Sequence, residues 1–356
     1  MVEIEDLLAR VSFQPPFRST LTYHTHSPHQ TDTYEFKNSM IYMSSSYSIR
    51  TTPHKHHTIT HCTLHTTPHQ YTPPNNPHTH HTSLRPRVGD VLVVTSPKCG
   101  TTWVQQIVHQ LRSRGSMDFE EISIPVPWIE MAHDLGQDLD AEQGFTPRAF
   151  KTHCWYDHCP KAKGAKYIVV VRDPHDVALS FFSFFQGWFF QPGEVSLDEF
   201  IRGFWLARGV PASPMQNASY FHHLVSWWQH RTNPDVLFLF YEDLKSDLPA
   251  HVAKIAAFLE LDDAEARCKT AVEHSTFEFM SKHSSHFDER HSKIARNAAC
   301  GLSADAGLTN GKVREGRSGA GRLGVCVCVC VCMYREPQTL ACVCVCMYVC
   351  TLNPKP

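Results

Sequence analysis

The chain has 356 residues, a formal net charge of −2 and 42% apolar residues. This length allows one large α/β domain or two smaller ones, and the near-neutral charge gives no reason to expect nucleic acid or a membrane as a partner. The N-terminus, MVEIED, lacks the basic and apolar regions of a signal peptide, and no apolar run reaches the ~18 residues of a transmembrane helix. We therefore expect a soluble, cytoplasmic protein.

A short N-terminal segment, residues 1–18, precedes a His/Thr/Pro-rich segment, residues 19–84. The latter has twelve histidines and no glycine between residues 19 and 82, with neither helical nor strand periodicity. It could bind metal, but it lacks the ligand spacing of a zinc site. Because a CA dinucleotide repeat reads as His-Thr, we interpret the segment as disordered or as a gene-model artefact outside the core.

A strand–turn–helix pattern follows at residues 90–103, DVLVVTSPKCGTTW. Val91–Thr95 is a β-branched apolar run typical of a central parallel strand, and the apolar residues within Thr102–Arg112 fall on one helical face. The turn between them directs backbone N–H groups and the positive end of a helix dipole at one point, beside Lys98. The pattern predicts an anion site, with a solvated lysine on an ordinary turn as the alternative.

Further strands and helices alternate along the chain and predict one α/β domain over residues 85–322, with a central parallel sheet flanked by helices. The other predicted strands and helices are Phe150–Thr152, Tyr167–Val171 and Val236–Tyr241, and Asp176–Phe185, Leu197–Ala207, Tyr220–Gln229 and Leu248–Leu259. Ligands of such sheets bind beyond the carboxyl ends of the strands. Four side chains that follow or end a strand should meet at that edge: Lys98, His153, Arg172 and Tyr241.

The turn is not a Walker A loop, because its lysine precedes its glycine. Its pattern, Pro-Lys-x-Gly-Thr-Thr-Trp, resembles the 5′-phosphosulfate loop of the cytosolic-type sulfotransferases, which implies their P-loop-NTPase-like fold. In that family the loop holds the donor PAPS (3′-phosphoadenylyl sulfate). The resemblance implies that the same residues bind PAPS here: Lys98, Cys99, Gly100, Thr101, Thr102 and Trp103.

A second motif consists of an apolar strand, Arg172, an Asp-Pro pair and, further on, Ser180. Arginine offers a bidentate fork that suits phosphate, but Arg172 could instead form a helix-entry ion pair with Asp173 or Asp176. The motif resembles the 3′-phosphate motif of the same family. That resemblance implies that Arg172 and Ser180 bind the 3′-phosphate of PAPS.

The triplet Lys151-Thr-His153 contains the best candidate for a general base, because histidine accepts a proton near neutral pH. His158 is its local competitor. The triplet resembles the family's Lys-Thr-His, which implies that His153 is the catalytic base and that Lys151 faces the transferring sulfuryl group or the acceptor. Lys98 would stabilise charge on the leaving phosphate, and no carboxylate cluster suggests a metal.

Three weaker segments follow in the family's order. Residues 238–243 and 274–280 resemble its adenine-side segments, although the order of a Ser-Thr pair is swapped, and residues 314–319 resemble the segment that closes over the 3′-phosphate. The residues carried over are Tyr241, Ser275, Phe277, Met280, Arg314 and Gly316. A strand end for Tyr241 and core packing for Phe277 and Met280 are the alternatives.

The C-terminal end departs from the family pattern. Glu315 replaces the usual lysine, and Ala320-Gly321 stands where Asp-Trp is expected. Residues 323–356 form a tail with two Val-Cys repeats, as a GT dinucleotide repeat would encode, and we interpret this tail as disordered or as an artefact. The family resemblance would imply a homodimer, but the chain lacks the family's usual dimerisation motif. The six cysteines outside this tail are scattered, so we expect reduced thiols.

Together the resemblances imply a sulfotransferase that moves the sulfuryl group of PAPS to a hydroxyl or amine of a small, apolar acceptor and releases adenosine 3′,5′-bisphosphate. The aromatic run 181–190 and residues 125–128 could line the acceptor pocket or belong to the core. Two other interpretations stay open: a catalytically impaired sulfotransferase-like protein and a P-loop-type nucleotide-binding phosphotransferase.

Overall fold

The computed structural model describes residues 84–186, 188–206, 219–297 and 302–308, and the backbone of four short strands in the flanking segments. The strands in chain order are β1 (Thr33–Phe36), β2 (Tyr47–Arg50), β3 (Val91–Thr95), β4 (Ala149–Thr152), β5 (Lys166–Val171), β6 (Val236–Phe240), β7 (Cys326–Val331) and β8 (Val343–Tyr348). The four strands of the flanking segments form two antiparallel pairs, β1 with β2 and β7 with β8. The boundaries of the α/β domain stay a prediction.

Nine α-helices lie within the described ranges. They are α1 (Thr101–Ser113), α2 (Pro174–Phe185), α3 (Leu197–Phe200), α4 (Tyr220–Trp228), α5 (Tyr241–Ser246), α6 (Leu248–Phe258), α7 (Ala264–His274), α8 (Phe277–Lys282) and α9 (Arg290–Asn297). In this part of the chain, none of the helices has the length and apolar character that a membrane crossing requires.

The central sheet has four parallel strands in the order β4-β3-β5-β6. Val91 of β3 lies opposite Ala149 of β4 and Lys166 of β5, and Tyr167 of β5 lies opposite Val236 of β6. The strands are buried almost throughout, which explains their continuous apolar runs. The predicted fold, a parallel sheet flanked by helices, is confirmed.

A buried ion pair ties together the amino ends of the two strands that carry the candidate site. Asp90 precedes β3 and Arg148 precedes β4. The arginine Nε and Nη2 donate to the two oxygens of the Asp90 carboxylate at 3.0 and 2.6 Å. Both side chains are less than a tenth exposed. This bidentate contact fixes β4 against β3 and thereby the residues that follow each strand.

The aromatic run that follows β5 packs mainly as core. Phe181, Phe184 and Phe185 of α2 are buried together with aromatic residues from the segment after it, including Phe200 and Trp205. The predicted helix Leu197–Ala207 is interrupted here, since α3 ends at Phe200 and a π-helix spans Ile201–Trp205. That wider turn accompanies the burial of Phe200, Ile201 and Trp205 in the aromatic cluster.

Two further differences from the sequence prediction affect the site. Tyr241 does not end β6 but begins α5. Helices α7, α8 and α9 have no counterpart in the prediction, because α8 and α9 are short and α9 has almost no apolar residues. Such short helices are stabilised by tertiary packing and not by their own helix propensity.

Candidate active site

The loop between β3 and α1 has the backbone shape of an anion site. Lys98 and Gly100 both adopt left-handed conformations, with φ of 72° and 97°. A Cβ at Gly100 would lie 2.8 Å from the Cδ2 atom of Tyr241, so the tyrosine ring packs directly on the loop. Helix α1 begins at Thr101, and the N–H groups of such a first turn lack intrahelical partners. The loop and the start of α1 therefore present backbone N–H groups in the region beside Tyr241.

Arg172 joins this loop to the ends of β5 and β6. One guanidinium nitrogen lies 3.3 Å from the carbonyl oxygen of Lys98, and the guanidinium carbon lies 4.3 Å from the centre of the Tyr241 ring. The other terminal nitrogen lies 3.6 Å from the Asp176 carboxylate, so the helix-entry ion pair is present as well. Ser180, half-buried, lies one turn beyond Asp176 on the same side of α2.

Trp103 connects the loop to the segment between α7 and α8. Its indole Nε1 donates to the carbonyl oxygen of Ser275 at 2.7 Å, and its ring meets the Tyr241 ring edge-on at 5.4 Å. The Ser275 hydroxyl is buried and makes no hydrogen bond among the described residues, so it can still bind a ligand. By contrast, Phe277 is 47% exposed and Met280 is buried in the aliphatic core.

His153 follows β4 and is buried at the same edge of the sheet. Its Nδ1 lies 2.9 Å from the carbonyl oxygen of Thr95, the last residue of β3. A carbonyl oxygen only accepts, so Nδ1 carries the proton and Nε2 is the basic nitrogen of the neutral ring. The Thr95 hydroxyl lies 2.6 Å from the hydroxyl of Thr101, which links this histidine to the start of α1.

Glu130 holds the backbone at His153 and was not predicted from the sequence. One of its carboxylate oxygens accepts from the His153 N–H at 2.6 Å and from the Thr152 hydroxyl at 2.9 Å. Burial raises the pKa of this carboxyl, and the hydrogen bonds from His153 and Thr152 oppose that rise. The residue lies in irregular structure outside any motif, so no local pattern could have identified it.

Two aromatic rings lie against the candidate catalytic groups. The Trp128 ring lies edge-on to the His153 ring, with 5.2 Å between the ring centres, and the Lys151 Nζ is 3.9 Å from the same indole. The Lys98 Nζ lies 4.1 Å from the centre of the Phe184 ring. Each of these three groups therefore has one aromatic ring beside it.

Lys151 makes a contact that the sequence did not predict. It is 1% exposed, and its ammonium forms an ion pair with the carboxylate of Glu289, just before α9. Glu289 is also buried and has a left-handed backbone, with φ of 52°. The two residues are 138 positions apart, which is why no local motif reveals the pair.

The remaining candidates are placed as follows. His158 lies on an exposed 3₁₀ turn, with its ring tilted against that of Trp155, and does not join the cluster around His153. The Cys99 thiol is buried, which raises its pKa, and its N–H donates within the loop to Ser96 at 3.3 Å. Arg314 and Gly316 lie outside the described residues. Four described cysteines carry free thiols: Cys99, Cys154, Cys159 and Cys268.

Residues 88–315, more than half of the chain, match the family model described as "Sulfotransferase domain". Human sulfotransferase 1E1 is 32% identical over 206 residues, covering 56% of this chain and 68% of the relative. The amine sulfotransferase of Oryctolagus cuniculus is 32% identical over 197 residues, covering 54% of this chain and 64% of the relative. The chain thus spans about two thirds of the length of these relatives.

A solved structure shows the same architecture. It is that of retinol dehydratase in complex with androsterone and the inactive cofactor PAP. The two chains align with a TM-score of 0.50 and 24% identity, over 68% of this chain and 77% of the other. At that identity the likeness concerns the fold, a parallel sheet with flanking helices.

Proposed function

The chain belongs to the sulfotransferase family of enzymes, and on that premise we propose that it transfers the sulfuryl group of PAPS to a hydroxyl or amine of a small, apolar acceptor. One observation carries the proposal: the loop at Lys98, Arg172 and His153 follow three neighbouring parallel strands and lie at one sheet edge. A donor with two phosphate positions needs cationic and N–H groups at two points, and a transfer step needs a base beside them.

The described donor-site residues fit PAPS. The left-handed loop and the start of α1 suit the 5′-phosphosulfate, and the Arg172 guanidinium beside that loop suits the 3′-phosphate. The buried Ser275 hydroxyl supplies a polar atom in need of a partner, and Tyr241 and Trp103 supply aromatic faces for a base. PAPS would supply the sulfuryl group and leave as adenosine 3′,5′-bisphosphate.

His153 would take the proton of the acceptor. Its hydrogen bond to Thr95 leaves Nε2 as the basic nitrogen, and Glu130 holds its backbone. Lys98 would neutralise the charge that develops on the bridging phosphate oxygen. General-base catalysis of this kind contributes ~10²–10⁴-fold to a rate.

The aromatic surroundings favour an apolar acceptor. Trp128 and Phe184 lie against Lys151 and Lys98, respectively, so an acceptor that reaches His153 would meet ring surfaces. Aromatic faces bind phenols and other flat, apolar alcohols or amines. Because the sequence resembles the cytosolic-type sulfotransferases, we also propose a cytoplasmic location.

The direct test is sulfuryl transfer by the full-length protein. PAPS is incubated with 4-nitrophenol, 2-naphthol and 2-naphthylamine, and the sulfated product and the bisphosphate are measured by mass spectrometry. We expect both products with at least one acceptor, and ~10²–10⁴-fold slower formation of both with the His153→Ala variant. Bisphosphate release without sulfated product would indicate donor hydrolysis, and no turnover despite donor binding would indicate a catalytically impaired family member.

A further inference from the structure

Helix α9 begins immediately after Glu289 and carries two more residues on the buried side of the helix. Glu289, Lys293 and Asn297 are spaced four apart and are 4%, 1% and 0% exposed. His291 and Ile294, on the other side, are exposed. A helix of this composition has little apolar surface to bury, so its polar contacts must determine how it docks.

Each of these three buried residues contacts a group near the site. Glu289 pairs with Lys151. The Lys293 Nζ donates to the carbonyl oxygen of Gly307 at 2.7 Å and lies 5.9 Å from the Phe184 ring, the ring that Lys98 also approaches. The Asn297 Oδ1 accepts from the indole of Trp188 at 3.0 Å. Glu289 and helix α9 thus contact Lys151 directly and lie near the Phe184 ring that Lys98 also approaches.

Among these contacts, the Lys151–Glu289 pair involves a residue of the candidate site directly. A buried ammonium is costly unless a counter-charge compensates it, and Glu289 provides that charge. The same ammonium lies 3.9 Å from the Trp128 ring, whose edge meets His153. The position of the Lys151 ammonium therefore depends on Glu289, although the two residues are 138 positions apart in the chain.

We propose that Glu289 is a positioning residue for sulfuryl transfer: its carboxylate holds the Lys151 ammonium against the Trp128 ring, which packs edge-on with His153. The inference rests on the proposed function, because it assigns Lys151 to the transfer step. Glu289 acts only through Lys151. Removal of its charge should therefore impair turnover while leaving the Lys98–Arg172 part of the donor site intact.

The chain contains a matched control. Glu260 also has a left-handed backbone, with φ of 56°, and also pairs with a lysine, Lys166, at 2.9 Å. Its side chain is 77% exposed and lies near the opposite, amino end of β5. Glu260→Gln therefore repeats the chemical change and the backbone context of Glu289→Gln without touching the site.

The experiment compares the full-length wild type with Glu289→Gln, Glu289→Asp and Glu260→Gln. We expect Glu289→Gln to lower kcat by roughly 10-fold to 100-fold with 4-nitrophenol, while bisphosphate affinity changes less than about 2-fold. Glu289→Asp should recover part of the rate, and Glu260→Gln should match the wild type.

A second readout does not need turnover. Brief acetylation with acetic anhydride, followed by peptide mass spectrometry, should label Lys151 much more in Glu289→Gln than in the wild type. In Glu260→Gln, Lys151 should be labelled to the same extent as in the wild type. Equal labelling of Lys151 and an unchanged kcat in a folded Glu289→Gln would overturn the proposal. If the wild type binds the bisphosphate but transfers no sulfuryl group, the proposed function and the role of Glu289 in transfer are both overturned. The labelling experiment still decides whether Glu289 holds Lys151.

Discussion

The Nδ1 of His153 lies 2.9 Å from the carbonyl oxygen of Thr95, so the candidate base is oriented by the strand that leads into the Lys98 loop. The hydrogen bond joins the carboxyl ends of β4 and β3, which are neighbours in the sheet. Because the carbonyl fixes the proton on Nδ1, the ring presents Nε2 as its base. The Lys98 loop and the candidate base are therefore joined through the ends of two paired strands.

Replacement of His153 by alanine should lower kcat by ~10²–10⁴-fold, because the proton acceptor is removed. Binding of adenosine 3′,5′-bisphosphate should change little, since the loop and Arg172 remain. His158→Ala, on the exposed turn, is the matched control and should keep the wild-type rate. If the two variants were equally active in a transfer assay, His153 would not be the base.

Gly100→Ala should weaken donor binding and reduce stability. The left-handed backbone alone costs about 1–2 kcal/mol for a residue with a Cβ, and here the new Cβ would also meet Tyr241 at 2.8 Å. Gly193→Ala separates the two effects, because Gly193 also has a positive φ, of 90°, and no atom lies within 4 Å of its added Cβ. Urea denaturation of both variants should show the larger loss for Gly100→Ala, and equal losses would contradict the close packing of Tyr241.

Asp90→Ala should destabilise the fold by about 3–5 kcal/mol, because it leaves the buried Arg148 guanidinium without its counter-charge. The exposed pair of Arg202 with Asp198 provides the comparison. Asp198→Ala should cost only about 0–1 kcal/mol, since water already screens that pair. Chemical denaturation measures both, and a loss below 1 kcal/mol for Asp90→Ala would mean that the buried pair does not hold β3 to β4.

Acid should destabilise the protein partly through His223. Burial lowers the pKa of this histidine to about 3, and neighbouring His222 lowers it further, while a hydrogen bond with the backbone of Cys154 opposes the shift. In the unfolded chain His223 takes up a proton near pH 6.5, so its contribution is present above that pH and is lost as pH falls towards 3.

Between pH 7 and pH 5 this one residue should reduce the free energy of unfolding by about 2 kcal/mol. His223→Phe should remove that part of the pH dependence, whereas replacement of the exposed His158 should leave it unchanged. Urea denaturation at pH 7, 6 and 5 measures the slopes. Identical slopes for wild type and His223→Phe would show that His223 is not neutral in the folded state.

The sequence was most informative where local patterns determine structure. The run Val91–Thr95 and the turn after it predicted the strand and the helix that follows it, and the parallel order explains why the residues after β3, β4 and β5 meet. Contacts between distant residues left no such pattern. Glu130 is 23 residues from His153 and Glu289 is 138 from Lys151, and each lies in irregular structure.

Binding of adenosine 3′,5′-bisphosphate, compared with ADP and AMP, tests the account most directly. The full-length protein is titrated by calorimetry and thermal shift together with Lys98→Ala, Arg172→Ala and the control Arg231→Ala, whose guanidinium also stacks on an aromatic ring, that of Trp228. We predict a preference for the bisphosphate, with ~2.7 kcal/mol of stabilisation at a ligand concentration of 100 Kd. Lys98→Ala and Arg172→Ala should lose it, and Arg231→Ala should keep it. Equal binding of ADP, or no loss in Arg172→Ala, would contradict the assignment of this sheet edge as a PAPS site.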